Sequence, residues 1–196
     1  MRIIGIAGKM GCGKDYIANN IIIPYLELKL NQSCLPFCFA DQIKINIMSK
    51  MNISYHDVYV EKTNITRNLL QQEGTENGRL VYGENIWIKY FDNWIQVFKT
   101  RGIKNIITTD CRFKNEIDYI KEQGGIIIKI NAPIRNDQRL KRESNGDENI
   151  YNLLKNHSSE CDLDNVKDSY FDLIIDNDIG SNYDFGELYK KLETIL

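Results

Sequence analysis

No apolar run in this chain approaches the about 20 residues needed to cross a bilayer, and no charged, then apolar, then small-residue leader opens it. A soluble, intracellular protein is therefore expected. C-x-x-C pairs are also missing. The five cysteines (Cys12, Cys34, Cys38, Cys111 and Cys161) are odd in number, and Cys12 falls inside a glycine-rich loop where a disulfide would obstruct a ligand. Reduced thiols in a cytosol-like compartment are expected. Only two histidines exist, His56 has no metal-like companion, and a structural zinc site is not expected. The formal net charge is -2 and there is no long basic tract, so a broad surface for duplex DNA is not indicated. The partner expected is a small anion rather than a polymer. No internal repeat or low-complexity linker interrupts the 196 residues. A chain of this length buries a full core as one domain, with room for small inserted lobes.

What is present begins with Gly8-Lys9-Met10-Gly11-Cys12-Gly13-Lys14-Asp15, directly after the apolar stretch Arg2-Ile3-Ile4-Gly5-Ile6-Ala7. It fits G-x-x-x-x-G-K but ends in Asp15 where Ser or Thr is usual. Glycines let the backbone turn at positive φ, so that successive N–H groups point at phosphate oxygens while Lys14 brings a mobile positive charge. A nucleoside triphosphate is the implied ligand, with Gly8, Met10, Gly11, Cys12, Gly13, Lys14 and Asp15 forming its phosphate site. Asp15 adds negative charge there, which is tolerable only if it faces a metal, its waters or another cation. The helical stretch from Tyr16 to Ile21 supplies the strand–loop–helix context the motif requires.

Short β-rich runs recur at 3–7, 35–39, 105–109, 126–130 and 173–176, with helix-period segments between them. This alternation predicts a parallel sheet covered by helices. Phe185, Leu188, Leu192 and Ile195 share one face of a last helix, and Phe113, Ile117 and Ile120 do so after Arg112. Two intervals are too long for simple crossovers, about 65 residues between the second and third strands and about 40 between the fourth and fifth. Each is expected to form a lobe over the strand ends. The first is helical, and its clearest helix carries Trp87, Phe91, Trp94, Ile95 and Phe98 on one face, read as core aromatics rather than a base-stacking platform. The second is polar, and its Arg135, Arg139 and Arg142 share a face if helical, either as a phosphate clamp or as a solvated basic face.

The third strand ends in Asp110-Cys111-Arg112-Phe113. Its carboxyl end is where an open α/β sheet places ligands. A carboxylate there can hold Mg²⁺ through a water while the adjacent arginine reaches a transferring phosphoryl group. The stretch from Thr66 to Arg79 adds Arg67, Arg79, Gln71 and Thr75 to the first lobe. Arginine forks suit a substrate phosphate, and amides suit a base edge.

Taken in order, several motifs resemble the deoxynucleoside monophosphate kinases of bacteriophages and large DNA viruses. They are the Gly-Lys-Asp loop, Phe39-Ala40-Asp41 with Lys44, Leu-Leu-Gln-x-x-Gly-Thr-Glu at Leu69 to Glu76, Arg79, and Asp110-x-Arg112-Phe113 with Asn115-Glu116. Gly124-Gly125 and His157-x-Ser159-Glu160 complete the set. The resemblance covers nearly the whole chain. It departs at Tyr16, where the family often has Thr, so a magnesium role for a hydroxyl at that position is lost.

The resemblance implies a three-layer α/β P-loop kinase fold, a five-stranded parallel sheet with helices on both faces. A helical monophosphate-binding lobe at about 41–100 and a lid at about 132–168 are inserted into it. It implies transfer of the ATP γ-phosphoryl group to a deoxynucleoside monophosphate, in dNTP precursor synthesis, with Mg²⁺ as cofactor. Catalytic roles then fall to Lys14, Asp15, Arg112, Arg139 and Arg142, and substrate binding to Lys44, Arg67, Gln71, Thr75, Arg79, Asp110 and Glu160. Asp15 and Asp110 would serve the metal, Asp110 through water. His157 is either a lid hydrogen-bonding residue or a surface histidine near a helix end. Cytoplasmic location (the host's, if the chain is viral), no nucleic-acid polymer or membrane partner, and a homodimer are further implications. A phosphomevalonate kinase, sharing the Lys-Asp loop and the Asp-x-Arg strand end, and a non-catalytic ATP-binding switch are the alternatives.

Overall fold

The computed structural model describes residues 1–61, 63–178 and 185–196. The side chains of Asn64, Phe185 and Glu187 are outside that description, and with them the expected packing of Phe185. Two compact units form, one from Met1–Pro36 with Ile103–Leu196, the other from Phe37–Gly102.

The first unit holds a five-stranded sheet. Its strands are β1 (Arg2–Ala7), β2 (Cys34–Pro36), β3 (Asn105–Cys111), β4 (Ile126–Asn131) and β5 (Leu173–Asp176). All pairings are parallel, in the order β2-β3-β1-β4-β5. A strand covered on both faces reads as a continuous apolar run, which is the character of Ile3 to Ala7 and Ile126 to Ile130. Side chains alternate in direction along β1. Ile4 and Ile6 join Ile107 and Ile128 under helix α1 (Lys14–Ile17), its continuation in wider turns (Ala18–Ile22, Tyr25–Lys29), and the last helix. From that last helix, Leu188 and Leu192 are buried in the same core.

The opposite face takes the helix after β3 (Lys114–Glu122), where Ile117 and Ile120 are fully buried. Gly5 is what allows its close approach, since a Cβ there would lie 2.7 Å from Ile120 Cδ1. Each isoleucine buried in these layers contributes about 1.5–3 kcal/mol relative to exposure. Helices therefore cover both faces of a three-layer α/β molecule.

Two strand boundaries differ from expectation. β2 stops at Pro36, because Phe37 and Phe39 leave the sheet and stack on Phe91 at centroid distances of 5.3 and 4.2 Å. β3 runs on through Cys111, so Asp110 lies within the strand.

The second unit is helical: α2 (Ala40–Met51), α3 (Asn64–Gly74) and α4 (Ile86–Thr100), with single wide turns at His56–Val60 and Thr75–Arg79. The Thr63 hydroxyl caps α3 by accepting from Thr66 N. Trp87, Phe91 and Ile95 of α4 are buried as core residues, and Trp94 and Phe98 stack beside them. The Trp87 indole donates to Gly74 O at 2.8 Å, which satisfies its polar edge inside the core. No helix among the described residues is long and apolar enough to cross a membrane.

Candidate active site

The loop between β1 and α1 owes its shape to glycine at two positions. Gly11 and Gly13 have φ of 77° and 92°, a region costly to side chains with a Cβ. A Cβ on Gly11 would also lie 2.8 Å from Arg139 Cβ, and one on Gly13 would lie 2.3 Å from Asn177 Nδ2. Asn177, just after β5, donates to Cys12 O at 2.8 Å. Asn136 of helix α6 (Pro133–Glu143) donates to Met10 O at 2.8 Å. The residue after β5 and a side chain of α6 thus tie down two carbonyls of the loop.

Lys14 stands at the start of α1 and is 7% exposed. Its ammonium donates to Gly8 O at 2.7 Å and Lys9 O at 2.9 Å. Burial, with the positive charge of Arg112 adding to it, lowers its pKa from the ordinary lysine value, against the pull of Cys12, Glu160 and Asp15. Burial raises the pKa of the neighbouring Cys12 thiol, so that group is no ready nucleophile.

Arg112, at the end of β3, is positioned by backbone. Its N–H and that of Phe113 donate to Glu116 Oε2 at 2.9 and 3.1 Å. Its guanidinium pairs with Glu160 Oε1 at 2.6 Å, while Glu160 Oε2 accepts from Met10 N at 2.7 Å. Glu160 is 5% exposed in the short helix α8 (Ser158–Cys161). Lys9 adds a second tie to this segment by pairing with Asp164 at 2.8 Å. His157 caps α8, its Nδ1 accepting from Ser159 N at 3.3 Å.

Gly8, Arg112 and Glu160, together with Lys9, Lys129 and Asn136, line a cavity of about 360 Å³ at the carboxyl ends of β1 and β4. Of the three arginines on α6, Arg139 lies against Gly11, pairs with Glu143 and has a buried Nε without a hydrogen-bond partner among the described residues. Arg135 and Arg142 are exposed on the same helix.

Asp15 is exposed beside the loop, and its Oδ1 accepts from Thr109 Oγ1 at 2.5 Å. Asp110 is half-buried, and its Oδ1 accepts from Thr108 Oγ1 at 2.8 Å. These oxygen donors suit Mg²⁺ rather than a softer metal. No group of three His, Cys, Asp or Glu that could hold a metal exists among the described residues. A magnesium ion here would draw its other ligands from phosphate oxygens and water, as it usually does.

The remaining predicted residues lie in the second unit. Arg67 and Gln71 are one turn apart on α3, Arg67 half-buried and Gln71 exposed; Thr75 is exposed and Arg79 half-buried on the turn that follows. Lys44 pairs with Asp41 at 2.8 Å and sits 4.3 Å from the Tyr59 ring centre. Tyr59 Oη donates to Asp41, and burial with that carboxylate drives its pKa upward. Sequence reasoning missed Thr109, Asn136 and Asn177, which touch the loop or its aspartate. Thr109 and Asn177 carry at most the signal of a polar residue near a strand end, and Asn136, inside α6, carries none.

No protein-family model matches the chain. A protein of Acanthamoeba polyphaga mimivirus named "Putative deoxynucleotide monophosphate kinase" is 29% identical over 150 residues, 68% of this chain and 75% of its own length. Phosphomevalonate kinase of Drosophila melanogaster is 23% identical over 185 residues, 91% of this chain and 89% of its own. Among solved structures, TT1252 from Thermus thermophilus matches with a TM-score of 0.55 at 15% identity, covering 100% of this chain and 97% of that one. The parallel order and the glycine-rich loop after β1 are those of a three-layer α/β P-loop fold, and the likeness to TT1252 runs over the whole of this chain.

Proposed function

We propose that this chain is an ATP-dependent kinase that moves the γ-phosphoryl group of ATP to a deoxynucleoside monophosphate, giving the diphosphate and ADP for dNTP synthesis. The observation that carries the reading is Lys14, buried within a glycine-shaped loop whose carbonyls hold its ammonium beside Arg112. The mimivirus relative, by its name, supports a deoxynucleotide as acceptor.

In this reading ATP lays its phosphates along Gly8 to Asp15, and the Lys14 ammonium exchanges the Gly8 and Lys9 carbonyls for phosphate oxygens. Asp15 and Asp110 would hold the magnesium ion, Asp110 through water. When bound, Mg²⁺ neutralises charge on the β and γ phosphates. The acceptor phosphate is already ionised near neutral pH, so no strong general base is needed, and the chain's work is positioning and charge compensation. Arg67 and Arg79, with Gln71, Thr75 and Lys44, hold the acceptor. Arg112 leaves Glu160 for the transferring phosphoryl group. Residues 132–168, with Arg139 and Arg142, act as a lid that limits hydrolysis by excluding water.

The Drosophila relative covers more of the chain and favours phosphomevalonate as a second reading. ADP release from MgATP, measured against deoxynucleoside monophosphates, ribonucleoside monophosphates, phosphomevalonate and a no-acceptor control, separates the two. Turnover with one or a few deoxynucleotides is expected. Turnover with phosphomevalonate alone would replace the acceptor, and ATP binding without any turnover would replace the kinase by a switch.

A further inference from the structure

A P-loop usually places a hydroxyl at the position of Asp15 and a carboxylate on a neighbouring strand. Here the loop position is itself a carboxylate, and the strand keeps a second one in Asp110. The hydroxyl donating to the loop carboxylate, at 2.5 Å, belongs to Thr109 near the end of β3. The strand is irregular at this point. Gly5 pairs with Thr108 but Ala7 pairs with Cys111, so Thr109 and Asp110 together oppose the single residue Ile6. Such a bulge re-aims side chains and is common beside active sites. Buried Thr108 meanwhile donates to Asp110 at 2.8 Å, so each of the two carboxylates suited to a metal has its own threonine hydroxyl.

An exposed aspartate on a helix start samples several rotamers unless something selects one. A short hydrogen bond to an ionised carboxylate does so at little steric cost. We propose that Thr109 is a positioning residue that holds Asp15 in one orientation for the magnesium ion of a bound nucleotide, supplying from the strand the hydroxyl that the loop lacks. This rests on the nucleotide-binding reading above. Partners that orient metal ligands commonly change metal affinity about 10–100-fold when removed.

The test is calorimetric titration of ADP with Mg²⁺ and with EDTA, for the wild type, Thr109→Val and Thr109→Ser, with a thermal melt of each. Wild type should bind ADP more tightly with Mg²⁺. Thr109→Val should lose about tenfold of that gain with its affinity in EDTA unchanged, and Thr109→Ser should recover it. Thr109→Ala takes the place of valine if the latter does not fold. Asp15→Asn should lose the gain as well, and the double variant should lose no more than Asp15→Asn alone. A gain preserved in Thr109→Val, not recovered by serine, or lost additively in the double variant overturns the inference while leaving nucleotide binding intact. Wild type that binds ADP equally in EDTA also overturns it. Wild type that binds no ADP at all overturns the nucleotide reading itself.

Discussion

Lys14 is a charged group held where water scarcely reaches, and two backbone carbonyls take the place of its hydration. That arrangement is costly in the free protein, as its lowered pKa states. An arriving anion would offset that cost, because phosphate oxygens favour the charged form that burial disfavours. Lys14→Ala should therefore lower kcat by about a hundredfold or more, since one contact to developing charge is commonly worth about 3 kcal/mol. A coupled ADP-release assay measures this, with a thermal melt to show that the variant is folded. Near-normal turnover would remove the loop from the chemistry. Glu160 marks the same logic from the other side. Its carboxylate occupies the Met10 N–H and the Arg112 guanidinium, two donors that would otherwise face solvent or an anion.

At the scale of elements, the second unit is tied by a buried carboxylate as well as by its aromatic core. Glu73, at the end of α3, accepts from Lys50 and Asn46 of α2 and from Asn77 on the following turn. Burial acts to raise its pKa, but the hydrogen bonds from Lys50, Asn46 and Asn77 outweigh it and hold the carboxyl below its ordinary value of 4.5. A depressed carboxyl contributes stability that is complete above the unfolded pKa and is lost as pH falls through the folded one. Glu73→Ala should cost about 2 kcal/mol at neutral pH, the scale of hydrogen bonds to a charged group. The difference in melting temperature between wild type and variant should shrink as pH drops below 4.5. A gap that stays constant in acid would assign the loss to packing alone.

Much of this level was legible in the sequence. The apolar runs gave three strands to within a residue and β3 two residues short, and α4 was visible through Trp87, Phe91 and Ile95. Phe37 and Phe39 misled because an aromatic residue suits a strand and a stacked cluster equally well. The choice is made by Phe91, far along the chain.

The whole molecule divides its candidate residues between two units, with the loop, Arg112 and helices α6 and α8 in one and Arg67, Gln71, Thr75 and Arg79 in the other. The loop and the Asp110–Arg112 strand end were legible because phosphate chemistry demands glycine, lysine and carboxylate at fixed spacing. Asn177 was not, because it reaches Cys12 from 165 residues away, a contact that exists only once the sheet has assembled. Thr109 was hidden for a related reason, since the bulge that distinguishes it is a relation between two strands. In the proposed reaction the γ-phosphoryl group of ATP moves to a nucleotide acceptor. Phosphorus NMR of MgATP with a deoxynucleoside monophosphate and the protein follows that group directly. ADP and the β-phosphate resonance of a deoxynucleoside diphosphate should grow together, with little inorganic phosphate. ADP accompanied by inorganic phosphate alone, at a rate indifferent to the monophosphate, would contradict it.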